Sequence, residues 1–281
     1  MVTSVQPLSE NIAECDNTLR KRFKHFRVLI LGRANAGKTT ILQKVCNTDE
    51  QPEIFDSTGK KIDPTIVMPS TNQGAHDIDN EMIFKSNPGF VFHDSRGFES
   101  GGDSELRIVK DFIARRARET KLHNQLHAIW YCIPMDDSRP ITSAKNSFFS
   151  ECGTGKVPVI AVFTKMDALD SKAWNELVKQ NMSWELAKQR APEHSLSTAK
   201  SLYCEELVPK RYPPKGSVYI RDMNQENIQC VELIQETVSV LGDRNLQLLL
   251  VSTQQVSIEI CVTYALKECV MPLDVANRKF C

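Results

Sequence analysis

Apolar and polar positions fall into short blocks along the chain, and these blocks predict strands and helices in alternation. Residues 1 to 22 are polar, show no sustained period and read as a loose leader. Phe26-Arg27-Val28-Leu29-Ile30-Leu31 is then a β-rich apolar run that stops at Gly32, the pattern of a strand buried on both faces. Further strands are predicted at about 75–84 and 89–93, followed by a charged amphipathic helix at about 104–120. Strands at about 128–133 and 157–163 bracket a helix near 142–151. This alternation predicts an α/β fold whose mostly parallel sheet is covered on both faces.

Downstream, a charge-rich helical stretch from Asp170 to Pro209 carries Trp174 and Trp184 and reads as an insertion interrupted at Pro192. The turn Tyr212-Pro213-Pro214-Lys215-Gly216 leads to a strand at about 217–220 and a helix at about 228–241. In the tail, Leu246, Leu249, Leu250, Val256, Ile260, Tyr264 and Leu266 favour one long amphipathic helix, although Leu248 to Ser252 alone could be a strand. The expected organisation is a leader at 1–22, a main domain at 23–242 with its helical insertion at about 170–210, and a C-terminal helical extension at 243–281.

Composition narrows the function classes. The 281 residues suit one α/β domain with an insertion or tail. A hydrophobic share of 41% argues against disorder, and 35 basic residues balanced by 35 acidic ones argue against broad nucleic-acid affinity. No apolar run approaches the roughly 20 residues that cross a bilayer. Val2 excludes myristoylation, and Cys281 as the last residue breaks the prenylation pattern. The expectation is a cytoplasmic protein without a strong membrane or nucleic-acid signal. Nine cysteines occur without a C-x-x-C pair, so they read as reduced thiols, with Cys46, Cys132 and Cys230 inside apolar runs as core residues.

Three motifs carry chemistry. Gly32-Arg33-Ala34-Asn35-Ala36-Gly37-Lys38-Thr39 matches G-x-x-x-x-G-K-[ST] between a predicted strand and the helix-forming run that opens at Thr40. Its glycines let backbone N–H groups curl around phosphate oxygens, Lys38 brings a cation to the outer phosphates, and the Thr39 hydroxyl suits a magnesium shell. Asp94-Ser95-Arg96-Gly97 is a D-x-x-G motif ending an apolar strand, where Asp94 can hold magnesium through water and the Gly97 N–H can meet a terminal phosphate. Thr164-Lys165-Met166-Asp167 follows the strand at about 157–163 and matches [NT]-K-x-D. The Asp167 carboxylate can accept two hydrogen bonds from the ring N–H and exocyclic amine of guanine, whereas adenine has no matching pair of donors.

Together these segments resemble the G1, G3 and G4 elements of the translation-factor-related (TRAFAC) class of P-loop GTPases, including Era-like proteins, septins and immunity-associated GTPases. The likeness spans roughly residues 24 to 241. The P-loop is similar to the Era-like branch, whereas His127 to Ile133 with Ser138-Arg139-Pro140 is similar to septins. The resemblance implies a three-layer P-loop NTPase fold, GTP or GDP as ligand, Mg2+ at Thr39, Asp94 and a switch threonine, and an unidentified protein effector. For that threonine the candidates are Thr65, Ser70 and Thr71, with Thr71 favoured because it lies shortly before the second predicted strand. For the fifth motif, Arg221-Asp222-Met223 is favoured over Val251-Ser252-Thr253.

Where Ras-like proteins carry a water-orienting glutamine after D-x-x-G, this chain has Phe98. Slow hydrolysis stimulated by a partner or cation is therefore expected, with Asn35 as a candidate aid to K+ binding beside the phosphates. The same departure also fits a GTP-dependent assembly or scaffold module with negligible turnover, in which a homodimer forms through the nucleotide face.

Overall fold

Six buried residues, Phe26–Leu31, form strand β1 at the middle of an eight-stranded sheet. The structure is a computed structural model that describes residues 25–63, 77–95, 103–137, 140–225 and 228–266. The other strands are β2 (Glu53–Phe55), β3 (Lys61–Ile62), β4 (Glu81–Phe84), β5 (Asn87–Asp94), β6 (Ala128–Pro134), β7 (Val159–Thr164) and β8 (Gly216–Tyr219). They lie in the order β3-β2-β4-β5-β1-β6-β7-β8. The block from β5 to β8 is parallel, and β4, β2 and β3 add an antiparallel edge.

The strand pleat divides the apolar side chains between two faces. Phe26, Val28 and Ile30 point to one core with Ala128, Trp130, Cys132, Ile160 and Val162, while Leu29 and Leu31 point to the other with Ile129, Tyr131, Ile133, Ala161 and Phe163. Helices α1 (Lys38–Val45), α6 (Val231–Val240) and α7 (Arg244–Thr253) cover the first face. Helices α2 (Asp103–Ala117), α3 (Ser143–Glu151) and the C-terminal part of α5 (Trp184–Leu202) cover the second, so the fold has three layers. Among the described residues no helix is long and apolar enough to cross a membrane.

Four local expectations change. The second predicted strand starts only at Glu81, because Asp77 closes a turn by accepting the Asn80 N–H at 3.0 Å on its carbonyl and the Asp79 N–H at 3.0 Å on its side chain. The β2–β3 hairpin was not expected from the sequence. Asp56 Oδ1 organises its turn by accepting from Thr58 N, Thr58 Oγ1 and Lys60 N, and Gly59 supplies the left-handed residue at φ 82°.

Pro192 does not interrupt the insertion, since α5 runs through it. The break falls earlier, between α4 (Asp170–Lys179) and α5, where Asn181 adopts φ 66° and Met182 N donates to Leu177 O in a left-handed helix cap. The tail is two helices rather than one. Gln254 Oε1 accepts from Val256 N and Ser257 N, both at 2.9 Å, ending α7 before α8 (258–266) begins. Leu249, Leu250, Val251, Val256 and Ile260 all join the same core as β1.

Candidate functional site

The sheet register brings the chemistry-bearing loops to one edge. Ile30 stands opposite Asp94, Leu31 opposite Tyr131, and Pro134 opposite Thr164, so β1, β5, β6 and β7 all end on the same rim. Parallel α/β sheets bind ligands at this rim, where neighbouring strands send their helices to opposite faces. Here β1 leads into α1 on one face and β5 leads towards α2 on the other.

The loop from Gly32 to Lys38 needs glycine at two points. Gly32 has φ 144°, and a Cβ there would come within 2.9 Å of Cys132 O, so the loop crosses β6 at backbone contact. Gly37 has φ 83° and stands before α1 with no side-chain cap, leaving the first amides of that helix to an anion. Asn35 is left-handed at φ 58°, and the Ala36 N–H closes the turn onto Arg33 O at 3.2 Å. Ala34 and Asn35 are exposed, Ala36 is buried, and Thr39 and Thr40 follow Lys38 in α1 with the Thr39 residue exposed.

Lys38 Nζ donates to Gly32 O at 2.8 Å and to Arg33 O at 3.0 Å. An ammonium has three N–H groups, so one remains for a phosphate oxygen. Asp94 Oδ1 lies 3.8 Å from the same nitrogen, close enough for attraction but too far for a hydrogen bond. Thr39 and Asp94 offer the hard oxygen donors that suit Mg2+. At the end of β5, Ser95 Oγ is buried and meets no hydrogen-bond partner among the described residues, as expected of a site built for further polar contacts. Cys132, beneath the loop, is pushed up to about 12 by burial and is an inert packing thiol.

The turn at Thr164–Asp167 is joined directly to this loop. Thr164 is buried, and its Oγ1 donates to Ala36 O at 2.9 Å. Lys165 takes a left-handed conformation at φ 55°, which turns the chain into the short helix Met166–Leu169 carrying Asp167. Met166 N donates to Ile220 O at 3.1 Å, and Asp167 Oδ1 accepts from Asp222 N at 3.1 Å. Asp222 itself has φ 53°. Thus Lys38, Asp94, Thr164, Asp167 and Asp222 share one rim. Val251, Ser252 and Thr253 lie instead in α7, with Thr253 O accepting from Asn87 at the far end of β5. Thr65, Ser70, Thr71, Arg96, Gly97, Phe98, Ser138 and Arg139 lie outside the described residues.

Several residues of this region were missed in the sequence. Asp136 accepts from Arg33 Nη2 at 3.1 Å and from Lys165 Nζ at 2.6 Å, while Asp137 approaches Arg33 Nη1 at 3.4 Å. Partial burial raises the Asp136 pKa, but Lys165 and Arg33 outweigh it and hold the carboxyl below its ordinary range. An acidic pair directly after the apolar run ending at Pro134 was the available signal. Asp170 pairs with Arg221 and accepts from Ser195 Oγ at 2.8 Å, so α5 braces the turn that carries Asp167.

Behind Asp94, buried His93 donates from Nδ1 to Ile78 O at 2.9 Å and accepts at Nε2 from Arg27 Nη1 at 2.7 Å. Arg27 also pairs with Glu81 at 2.7 Å. Burial first, then the charges of Arg27 and Arg116, push the His93 pKa well below the usual imidazole range, so the ring is neutral.

Strand order, the glycine loop ahead of α1 and the turn at Thr164–Asp167 define the class: an α/β P-loop fold with the sheet architecture of a G domain. The sequence profile of Arf, the ADP-ribosylation factor family, matches residues 12–68, the part that contains the P-loop and α1. No curated protein matches the sequence. Similar solved structures include a GDP-bound mutant of the S. thermophilus FeoB G-domain, at 11% identity and TM-score 0.39, covering 79% of this chain and 62% of that one. A mutation variant of SsGBP matches at 12% identity and TM-score 0.37, covering 88% of this chain and 65% of that one. This chain therefore spans less than two thirds of either structure. At such scores the likeness adds nothing to what topology and site geometry establish.

Proposed function

We propose that the chain is a guanine-nucleotide-dependent molecular switch that hydrolyses GTP slowly. The observation that carries this reading is the convergence of Lys38, Asp94 and Asp167 on one rim, with Lys38 Nζ 3.8 Å from Asp94 Oδ1 and Thr164 tying the base-reading turn to the phosphate loop. In this reading the uncapped amides of α1 and Lys38 bind the phosphates, and Asp167 accepts the two guanine donors. Mg2+ at Thr39, Asp94 and Thr71 would neutralise charge on the triphosphate. The Gly97 N–H would meet the terminal phosphate, so the loops around Thr71 and Asp94 would be ordered by GTP and released after hydrolysis.

Phe98 cannot orient water by hydrogen bonding, so turnover is slow without a partner or a cation, and Asn35 is the residue proposed to help hold K+. The switch state is read by a protein effector in the cytoplasm. Single-turnover GTP hydrolysis, measured with Mg2+ and with chelator in potassium and in sodium chloride, tests the reading. Slow, Mg2+-dependent turnover faster in potassium is the expected result. Equal rates in both salts remove the role of Asn35. Absence of turnover despite tight GTP binding, with dimers formed only in GTP, would replace the switch with an assembly module.

A further inference from the structure

The three loops of the site are hooked together in two different ways. One hook is neutral and buried, Thr164 Oγ1 on Ala36 O at 2.9 Å. The other is ionic and about one third exposed: the two oxygens of Asp136 are divided between Arg33 of the phosphate loop and Lys165 of the base-reading turn. Asp136 is itself held in place, because the preceding residue continues the sheet pairing through Met135 N on Thr164 O at 2.9 Å. Asp137 adds a second carboxylate on Arg33 at 3.4 Å. Lys165 is a non-glycine residue at φ 55°, a conformation that costs energy, and its side chain is anchored only a few bonds from that strained backbone.

We propose that Asp136 is a positioning residue that latches the phosphate loop to the base-reading turn and so sets how long nucleotide is retained. The inference rests on the guanine-nucleotide binding proposed above. By this geometry Asp136 touches neither phosphate nor base; it acts through Arg33 and Lys165. The sign of its effect separates a latch from a simple field. A carboxylate near a polyanionic ligand repels it, so neutralising Asp136 would slow release if only its charge mattered. A latch gives the opposite result, because two loops that must stay together around one ligand are freed to separate.

The test is the dissociation rate of a fluorescent GDP analogue from the full chain and from Asp136→Asn and Asp136→Glu, at low and at high salt. Asp136→Asn is expected to release the analogue roughly five- to tenfold faster at low salt, the scale of two networked, partly exposed ion pairs. That difference shrinks at high salt. Asp136→Glu, which keeps the charge on a longer arm, restores most of the retention. Arg33→Gln reads the other arm, and its effect combined with Asp136→Asn is less than additive. Release that is unchanged or slower in Asp136→Asn, with the same melting temperature as the parent, overturns the latch and leaves the function reading intact. A parent chain that binds no guanine nucleotide overturns both.

Discussion

The two halves of the sheet on either side of β1 are built from different physics. On the β6–β7–β8 side, β6 and β7 are nearly continuous apolar runs, with every residue of Ala128–Pro134 and Val159–Thr164 buried. Backbone bonds such as Ile220 N on Phe163 O at 2.7 Å carry the pairing past the strand ends, and the ion pairs Asp136–Lys165 and Asp170–Arg221 lie at the part-exposed rim. On the β5–β4–β2 side, charge is placed inside: Arg27 is 4% exposed and connects Glu81 to His93, and the β4–β5 register shifts between Met82 and Phe84. The interior of the β6–β7 half therefore rests mainly on non-directional packing, with the ion pairs of its loops kept to the rim, whereas the half carrying Asp94 also places directional, partner-dependent bonds of charged groups in its interior. Stability and site geometry should consequently respond to different perturbations on the two sides.

The largest expected effect is on the apolar side. Trp130 is fully buried in β6 and donates from Nε1 to Thr237 Oγ1 at 3.1 Å. Trp130→Ala should cost about 3–5 kcal/mol in urea unfolding, at any pH near neutrality. On the polar side, Arg27→Met keeps volume but strips Glu81 and His93 of their shared partner. It should cost about 1.5–3 kcal/mol, with a raised Mg2+ requirement for nucleotide binding as the sign that Asp94 has shifted. If Arg27→Met proves neutral, the contrast between the halves is wrong.

A more gradual effect comes from acid. Burial, offset in part by the bond to Leu122 O, lowers His127 from an ordinary value of 6.5 to about 4, and His93 is lowered in the same direction. The unfolded chain takes up these protons more readily than the folded one. Their contribution is therefore complete above about pH 6.5 and is lost as pH falls, down to about 4 for His127, by at most about 1.4 kcal/mol per unit for each ring. Urea midpoints at pH 7.5 and 5 check this, and His127→Asn should flatten the slope.

How legible the molecule was in its sequence follows the same division. Strands β1, β6 and β7 were readable because a strand buried on both faces is an almost unbroken apolar word, broken in β1 only by Arg27, and Gly32 and Thr164 end two of those words at the candidate site. The antiparallel edge was less readable. Glu53–Phe55 and Lys61–Ile62 are too short to show a period, and their hairpin depends on Asp56 side-chain bonds. Pro192 misled because proline in a helix interior normally disrupts it, while the real break needed only Asn181 in a left-handed cap. Of the site, residues within contiguous motifs were recognisable, but His93 and the Asp170–Arg221 brace act across 51 to 66 positions and leave no local pattern, and Asp136, which reaches across 29 and 103 positions, showed only as half of an acidic pair.

In the proposed function Asp167 reads guanine in a pocket whose phosphates lie over Lys38. Calorimetric titration of the parent chain and of Asp167→Asn with GDP, ADP and xanthosine diphosphate tests it most directly. The parent is expected to bind GDP and not ADP. Asp167→Asn is expected to lose roughly 10- to 100-fold in GDP affinity while gaining xanthosine diphosphate. Equal binding of ADP and GDP by the parent, or an Asp167→Asn variant with unchanged base preference, would contradict it.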